Sequence, residues 1–425
     1  MIPSILISFV LLLCLGMPIS ILLVVTASVA LIFFTDTPLI ILVQQLFNAL
    51  DNYVLMAVPF FILAGGIMGQ GAIAKRLIAV MNLAVGRFRG GTAIAAVVAC
   101  VFFAALSGSS PATVVAIRSI MLPALLKAGY HERFSQGLIT SAGSLGIVIP
   151  PSIPMILYCL VMDVSVAELF MAGILPGVLI GGVFIGYTYY MARKHNWREH
   201  RTYQKGEKVK IIREGLWALM LPVIVLGGIY TGIFTPTEAA AVSVVYALFV
   251  ELIIYRELTL SRLYAVCKDS AVLSACLMFI LACAMTFVWL LTAEQIPVKV
   301  ANAVIGLVHN WWTFLLLVSA LFLLLGTVMD DVSAMIILSP LFVDTLKGFG
   351  IDFVHYGIVM VLVIEFGFLT PPFGLNLFVT MGLTDRSLTT IARATLPFLL
   401  LLLGAVLLIT LIPQISLFLP NLILR

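Results

Sequence analysis

Two stretches of this chain restrict its fold more than anything else in it. GIVIPPSIP (146–154) and GFLTPPFGLN (367–376) each place a double proline inside a long apolar segment. Proline has no N–H to donate, and its ring clashes with the carbonyl four residues back. In a soluble protein such a break meets water. In a bilayer, irregular backbone is tolerated only where protein or a water-filled cavity surrounds it. The two stretches share a glycine, a three-residue spacer and the prolines, 221 residues apart.

The bilayer setting follows from composition. Hydrophobic residues make up 63% of the chain and charged residues 10%, against about half and a quarter in soluble domains. Apolar segments of membrane-spanning length recur from end to end. The chain is therefore expected to be an all-α polytopic membrane protein with no soluble domain. Nucleic-acid binding has no support. The six cysteines fall in or beside apolar segments without CxxC spacing and read as packing residues. The N-terminus is apolar at once, with no basic leader, so its first segment is expected to be a retained helix.

Lys and Arg cluster near 75–89, 127–133, 193–213, 256–268 and 386–393. The positive-inside rule puts these loops in the cytoplasm and both termini in the periplasm. Residues 92–126 then begin and end inside, and read as a re-entrant hairpin with its tip at SGSSP. Residues 311–345 begin and end outside, and read as a second hairpin with its tip at GTVMDD. The broken helices are placed at 135–162 and 355–383. The other expected elements are two short segments in 2–34, an interfacial helix at 39–50, and spans at 51–72, 168–192, 214–233, 237–255, 269–292 and 394–419.

The halves 1–192 and 214–425, joined by the basic loop 193–213, correspond in order. Pro18 pairs with Pro236, Gln70 with Gln295, Ser110 with Asp331, Gly146 with Gly367, and Pro150 and Pro151 with Pro371 and Pro372. Their inferred membrane orientations are opposite. An inverted repeat with discontinuous helices at the midplane is a secondary-transporter architecture. One hairpin from each side suits an elevator, in which the hairpins and broken helices slide as one unit. A channel would need a continuous polar pore. An intramembrane enzyme would need a nucleophile–base pair or a metal cluster at depth, and the five histidines lie in loops or near span ends.

Broken helices free carbonyl oxygens, and hard cations prefer oxygen ligands. Two Na⁺ sites are expected. One uses Ser107, Ser110 and carbonyls around Gly146, Val148 and Pro151. The other uses Gly326, Asp330 and carbonyls around Gly367, Thr370 and Pro372. Arg118, deep in an apolar segment, is a candidate for a substrate carboxylate or a snorkelling residue. Ser109, Ser152 and Asn376 are candidate substrate contacts, the last two equally N-caps. Glu365 tunes the cavity or pairs with a cation, and Glu238 caps a helix.

SGSSPATV with RSIMLPAL, SLGIVIPPSIPM, GIFTPTEAAA, GTVMDDVSAMIILSPL and FGFLTPPFGLNLF together resemble the large membrane subunit of tripartite ATP-independent periplasmic (TRAP) transporters. The resemblance spans nearly the whole chain. It implies a Na⁺-coupled elevator permease of the bacterial inner membrane, not an enzyme. It also implies a small four-helix membrane subunit, a periplasmic substrate-binding protein, and an organic acid cargo such as a C4-dicarboxylate or sialic acid. A stand-alone Na⁺/dicarboxylate symporter of related elevator type is the alternative.

Overall fold

The computed structural model describes residues 2–197, 206–326, 331–371, 374–384 and 386–424. They are helical throughout, with no strand among them. Among the described residues, seven helical segments are long and apolar enough to cross a membrane, as expected of a polytopic membrane protein.

α1 (Ile2–Cys14) and α2 (Ile19–Phe34) are separated where Gly16 takes a φ of +73° and Pro18 follows. α3 (Ile40–Leu50) leads through a 3-10 turn to α4 (Ala57–Gln70), and α5 (Ile73–Val85) follows at once. α6 (Gly91–Ser107) and α7 (Ser110–Lys127) form the first hairpin. α8 (Glu132–Gly143) and α9 (Ile153–Met162) are the halves of the first broken helix, and α10 (Val166–Lys194) closes this part.

The second part opens with α11 (Glu207–Tyr230) and α12 (Pro236–Phe249). In the turn between them, the Thr235 hydroxyl accepts from the Glu238 N–H while the Glu238 carboxylate accepts from the Thr235 N–H, a capping box. α13 (Leu260–Ala293) ends at a turn, Glu294 and Gln295, from which α14 (Ile296–Leu307) starts. α15 (Trp311–Gly326) and α16 (Asp331–Leu338) are the arms at the second tip, extended through a 3-10 turn by α17 (Val343–Phe349). α18 (Phe353–Gly367) and α19 (Leu375–Gly382) flank the second break, and α20 (Leu388–Leu411) and α21 (Gln414–Ile423) complete the chain.

Four features differ from the sequence reading. α5 and α14 are helices where none was expected: Lys75 and Arg76 put the first stretch in a basic loop, and the second fell between expected elements. The span expected at 269–292 is the end of a 34-residue helix. The last expected span, 394–419, divides at Ile412 and Pro413 into two helices. The return arm of the second hairpin is also interrupted, at the 3-10 turn Ser339–Phe342.

Packing sorts the helices into two groups. α4 lies against α12 and α13, α2 and α3 lie along α13, and α5 lies against α11. In the other group α8 packs on α6, α7 and α20, while α18 packs on α10, α15 and α20. So α10 and α20 join the broken helices rather than the outer spans. The two groups meet where α5 packs along α6, where α4 faces α6 and α7, and where α13 faces α16. Gly65 and Gly69, one turn apart on α4, let the hairpin come close. A Cβ at Gly65 would stand 3.0 Å from the Ser107 α-carbon.

Candidate functional site

The first hairpin turns over Gly108, at φ +61°, and the extended Ser109. This tip is tied by oxygens. The Thr113 hydroxyl donates to the Ser109 carbonyl at 2.8 Å and lies 2.9 Å from the Ser107 hydroxyl. Ser107, Ser110 and Thr113 are all buried.

The first break faces this tip. After a 3-10 turn at Ser144–Ile147, residues 148–152 are non-helical and the Pro150–Pro151 bond is cis. α9 restarts with Ser152 as its N-cap. The Ser152 hydroxyl donates to the Ile147 carbonyl at 2.6 Å and accepts from the Met155 N–H. The Ile153 N–H donates to the Gly108 carbonyl at 3.2 Å, so the restarting helix and the tip share a hydrogen bond. Contact is close enough to require glycine on both sides. A Cβ at Gly146 would lie 2.6 Å from the Ser109 oxygen, and one at Gly108 would lie 2.9 Å from the Pro151 oxygen.

Ser107, Ser109, Ser110, Gly146 and Pro151 therefore converge where tip meets break. Val148 does not join them through its carbonyl. That oxygen lies against Gly173 of α10, within 2.5 Å of where a Cβ there would be. The Ser152 hydroxyl is occupied by its cap.

In the second half, Gly326 ends α15 and Gly367 ends α18. Asp330 and Pro372 lie outside the described residues. The Thr370 hydroxyl donates to the Phe366 carbonyl at 2.8 Å, so it satisfies its own helix end. Gly374 holds the turn tight, since a Cβ there would approach the Phe368 and Thr370 oxygens to 2.9 and 3.0 Å.

Side-chain hydrogen bonds join the halves close to the breaks. The Asn376 amide donates to the Ser110 hydroxyl at 2.7 Å. The Thr140 and Thr380 hydroxyls are 2.9 Å apart. The Ser144 hydroxyl donates to the Glu365 carboxylate at 2.7 Å. Ser144 and Glu365 are 221 positions apart, the same offset that relates the two double prolines. Residues equivalent under a two-fold relation touch only on its axis, so the pseudo-axis passes between these two side chains. The packing agrees with such a relation: α7 meets α19 as α16 meets α9. The second Glu365 oxygen is buried without a hydrogen-bond partner.

Arg118 is buried, at 6% exposure, and donates to the Leu383 carbonyl at 3.0 Å. It thus caps the C-terminal end of α19, away from the break. The sequence reading missed Thr113, Thr140, Ser144 and Thr380. A signal was present: Thr140 and Ser144, like Asn376 and Thr380, are four apart and so share a helix face. Hydroxyl and carbonyl oxygens gather at the junction beside the Asn376 amide and the Ile153 N–H, and no group of three or more His, Cys, Asp or Glu gathers among the described residues. Carbonyl and hydroxyl oxygens are the ligand type that hard cations take.

Residues 6–415 match the family described as tripartite ATP-independent periplasmic transporter, DctM component. A C4-dicarboxylate TRAP transporter large permease protein of Pseudomonas aeruginosa is 44% identical over 396 residues, covering 93% of each chain. One from Rhodobacter capsulatus is 42% identical over 422 residues, covering 96% of each. Among solved structures, the Alcanivorax borkumensis YdaH transporter, described as having an unusual topology, aligns at a TM-score of 0.61 and 16% identity. It covers 87% of this chain and 86% of its own, a likeness of fold.

Proposed function

This chain belongs to the DctM component family of tripartite ATP-independent periplasmic transporters, and from that membership we propose Na⁺-driven inward carriage of a C4-dicarboxylate by an elevator movement. It is a transporter permease and not an enzyme. The C4-dicarboxylate assignment rests on the relatives named above. The partners are a small membrane subunit and a periplasmic binding protein that delivers the anion. The membrane is the bacterial inner membrane, with both termini outside.

The observation that carries this reading is the junction itself. A hairpin tip and a helix break meet through backbone oxygens, and Ser110 of one half reaches Asn376 of the other. Na⁺ would be held by Ser107, Ser110 and the Ser109, Gly146 and Pro151 carbonyls, with Thr113 as a further oxygen. The pseudo-equivalent site would use Gly326, Asp330, Gly367, Thr370 and Pro372. Here Na⁺ supplies positive charge beside the dicarboxylate, and the N-terminal ends of α9 and α19 supply N–H groups for an anion. Ser109 and Asn376 are the side chains best placed to contact it.

The moving unit is larger than two hairpins and two broken helices. α10 and α20 pack on α8 and α18, so they travel with them. The outer spans α2, α4, α11, α12 and α13 stay, and Gly65 and Gly69 present a low surface for the hairpin to pass.

The test is reconstitution with both partners in liposomes, imposing Na⁺ and pH gradients separately. Uptake of a labelled C4-dicarboxylate is expected with inward Na⁺ alone. Equal uptake under a pH gradient without Na⁺ overturns the coupling, and equal uptake by the chain without its partners overturns the tripartite assignment.

A further inference from the structure

Glu251 is fully buried, and its hydrogen bonds go to the start of α5 rather than to the hairpin tip. It sits on a π-helical turn, Val250–Tyr255, that continues α12. Its carboxylate accepts from the Ala72 N–H at 2.9 Å and the Ile73 N–H at 2.7 Å, the first free donors of α5. Gly71 makes room for it: a Cβ there would stand 2.2 Å from the carboxylate carbon. The carboxylate is therefore built into the N-terminus of α5.

A second set of contacts fixes the same helix. The Arg76 guanidinium stands 4.1 Å from the centre of the Tyr255 ring and 3.2 Å from the Glu257 carboxylate. The Tyr255 hydroxyl in turn donates to the Glu214 carbonyl of α11. One turn further along, Val80 packs so tightly on Gly215 of α11 that a Cβ there would lie 2.0 Å from its methyl group. Beyond α5 the chain reaches the hairpin through residues 86–91, which hold three glycines, one of them, Gly90, at φ +75°.

The other half lacks this clasp. At the Pro18–Pro236 offset of 218, the counterpart of Glu251 is Phe33, which is 73% exposed. α14, the counterpart of α5, begins with Gln295 at φ +54° and Pro297; it packs on α17 and the 3-10 turn of the second hairpin as α5 packs on α6 of the first, but, among the described residues, without a buried carboxylate at its N-terminus.

We propose that Glu251 is a positioning residue that anchors α5 to α11 and α12 as a fixed strut, so that the first hairpin moves about residues 86–91 while α5 stays. The proposal rests on the elevator reading and assigns what holds still within it. Glu251 touches neither ion nor substrate, so its loss is expected to change rate and leave affinity alone.

The test uses a disulfide across the strut. A Cβ at Gly215 would lie 3.4 Å from the Val80 Cβ, near the roughly 3.5–4.5 Å that a disulfide spans. Val80→Cys also removes the methyl group in the way. In a cysteine-free complex reconstituted with its partners, oxidised Val80→Cys/Gly215→Cys is expected to keep at least about half its reduced rate. Glu251→Ala is expected to lower maximal uptake about tenfold, with substrate KM and Na⁺ half-saturation within about twofold, since two buried N–H groups lose a charged acceptor. Adding the disulfide to Glu251→Ala is expected to restore the rate, a rescue that general destabilisation does not predict. If Glu251→Ala does not fold, the disulfide in the otherwise unaltered chain decides alone. A disulfide that stops transport while a cysteine at the Ser109 tip still changes accessibility in the reduced protein overturns the strut. So does wild-type uptake by Glu251→Ala. A tip that never changes accessibility overturns the elevator reading and the strut with it.

Discussion

Replacing Gly146 by alanine adds one methyl group where hairpin tip and helix break touch. It would stand 2.6 Å from the Ser109 oxygen and 2.7 Å from the Thr113 hydroxyl. Carbon and carbonyl oxygen settle at roughly 3.3–3.6 Å, so the tip must retreat by about 0.7 Å or more. Ser109 cannot yield by a rotamer change, because the obstructing atom is backbone and its carbonyl already accepts from Thr113. Overpacking of this kind costs about 1–3 kcal/mol of stability, less than the roughly 5–15 kcal/mol by which native proteins are stable. Metal–ligand distances, however, hold to within about 0.2 Å, so a displacement several times larger removes ligands from the ion. The expected result is a folded subunit whose Na⁺ half-saturation rises at least about tenfold, roughly 1.4 kcal/mol of lost binding. The assay is initial C4-dicarboxylate uptake against Na⁺ concentration in proteoliposomes, with complex assembly and thermal midpoint measured alongside. Unaltered Na⁺ dependence in Gly146→Ala would refute the reasoning that this contact builds the ion site.

Asn376→Ala removes the partner of Ser110 and is expected to weaken Na⁺-dependent uptake. In a double-mutant cycle with Ser110→Ala the losses are expected to be non-additive by about 0.5–3 kcal/mol, whereas additive losses would show that the two act separately. Arg118→Ala leaves the end of α19 without its donor and is expected to lower stability by about 1–3 kcal/mol with substrate KM within about twofold; a large rise in KM would return Arg118 to the substrate.

Much of the fold was legible because each break carries local chemistry. Gly16 with Pro18, TPTEAA and the two double prolines end helices by their own backbone constraints, whatever surrounds them. Gly146, before the first double proline, was legible in the same pattern, and a Cβ there would meet the Ser109 oxygen. α5 was not legible because its basic residues read as loop, while the helix packs against α6 and α11; α14, which packs against α17, carried no pattern that marked it. The pairs Ser110–Asn376, Thr140–Thr380 and Ser144–Glu365 join residues more than two hundred positions apart. No local pattern specifies which hydroxyl meets which partner across that separation. Arg118 shows the converse limit. Its depth in an apolar segment was evident, but the carbonyl it meets at Leu383 belongs to the other half.

The central claim is that the hairpins and broken helices slide as a body past α4 and α13. Gly69 on α4 and Ala116 on α7 test it most directly, because a Cβ at Gly69 would stand 3.9 Å from the Ala116 Cβ, inside the roughly 3.5–4.5 Å of a disulfide. Uptake by the cysteine-free complex carrying Gly69→Cys and Ala116→Cys is to be measured oxidised and reduced. Sliding of one group past the other predicts loss of Na⁺-driven uptake on oxidation and its return on reduction, with no change in either single-cysteine protein. Undiminished uptake by fully cross-linked protein would contradict the account, because the hairpin would then be transporting while bonded to the span it is meant to pass.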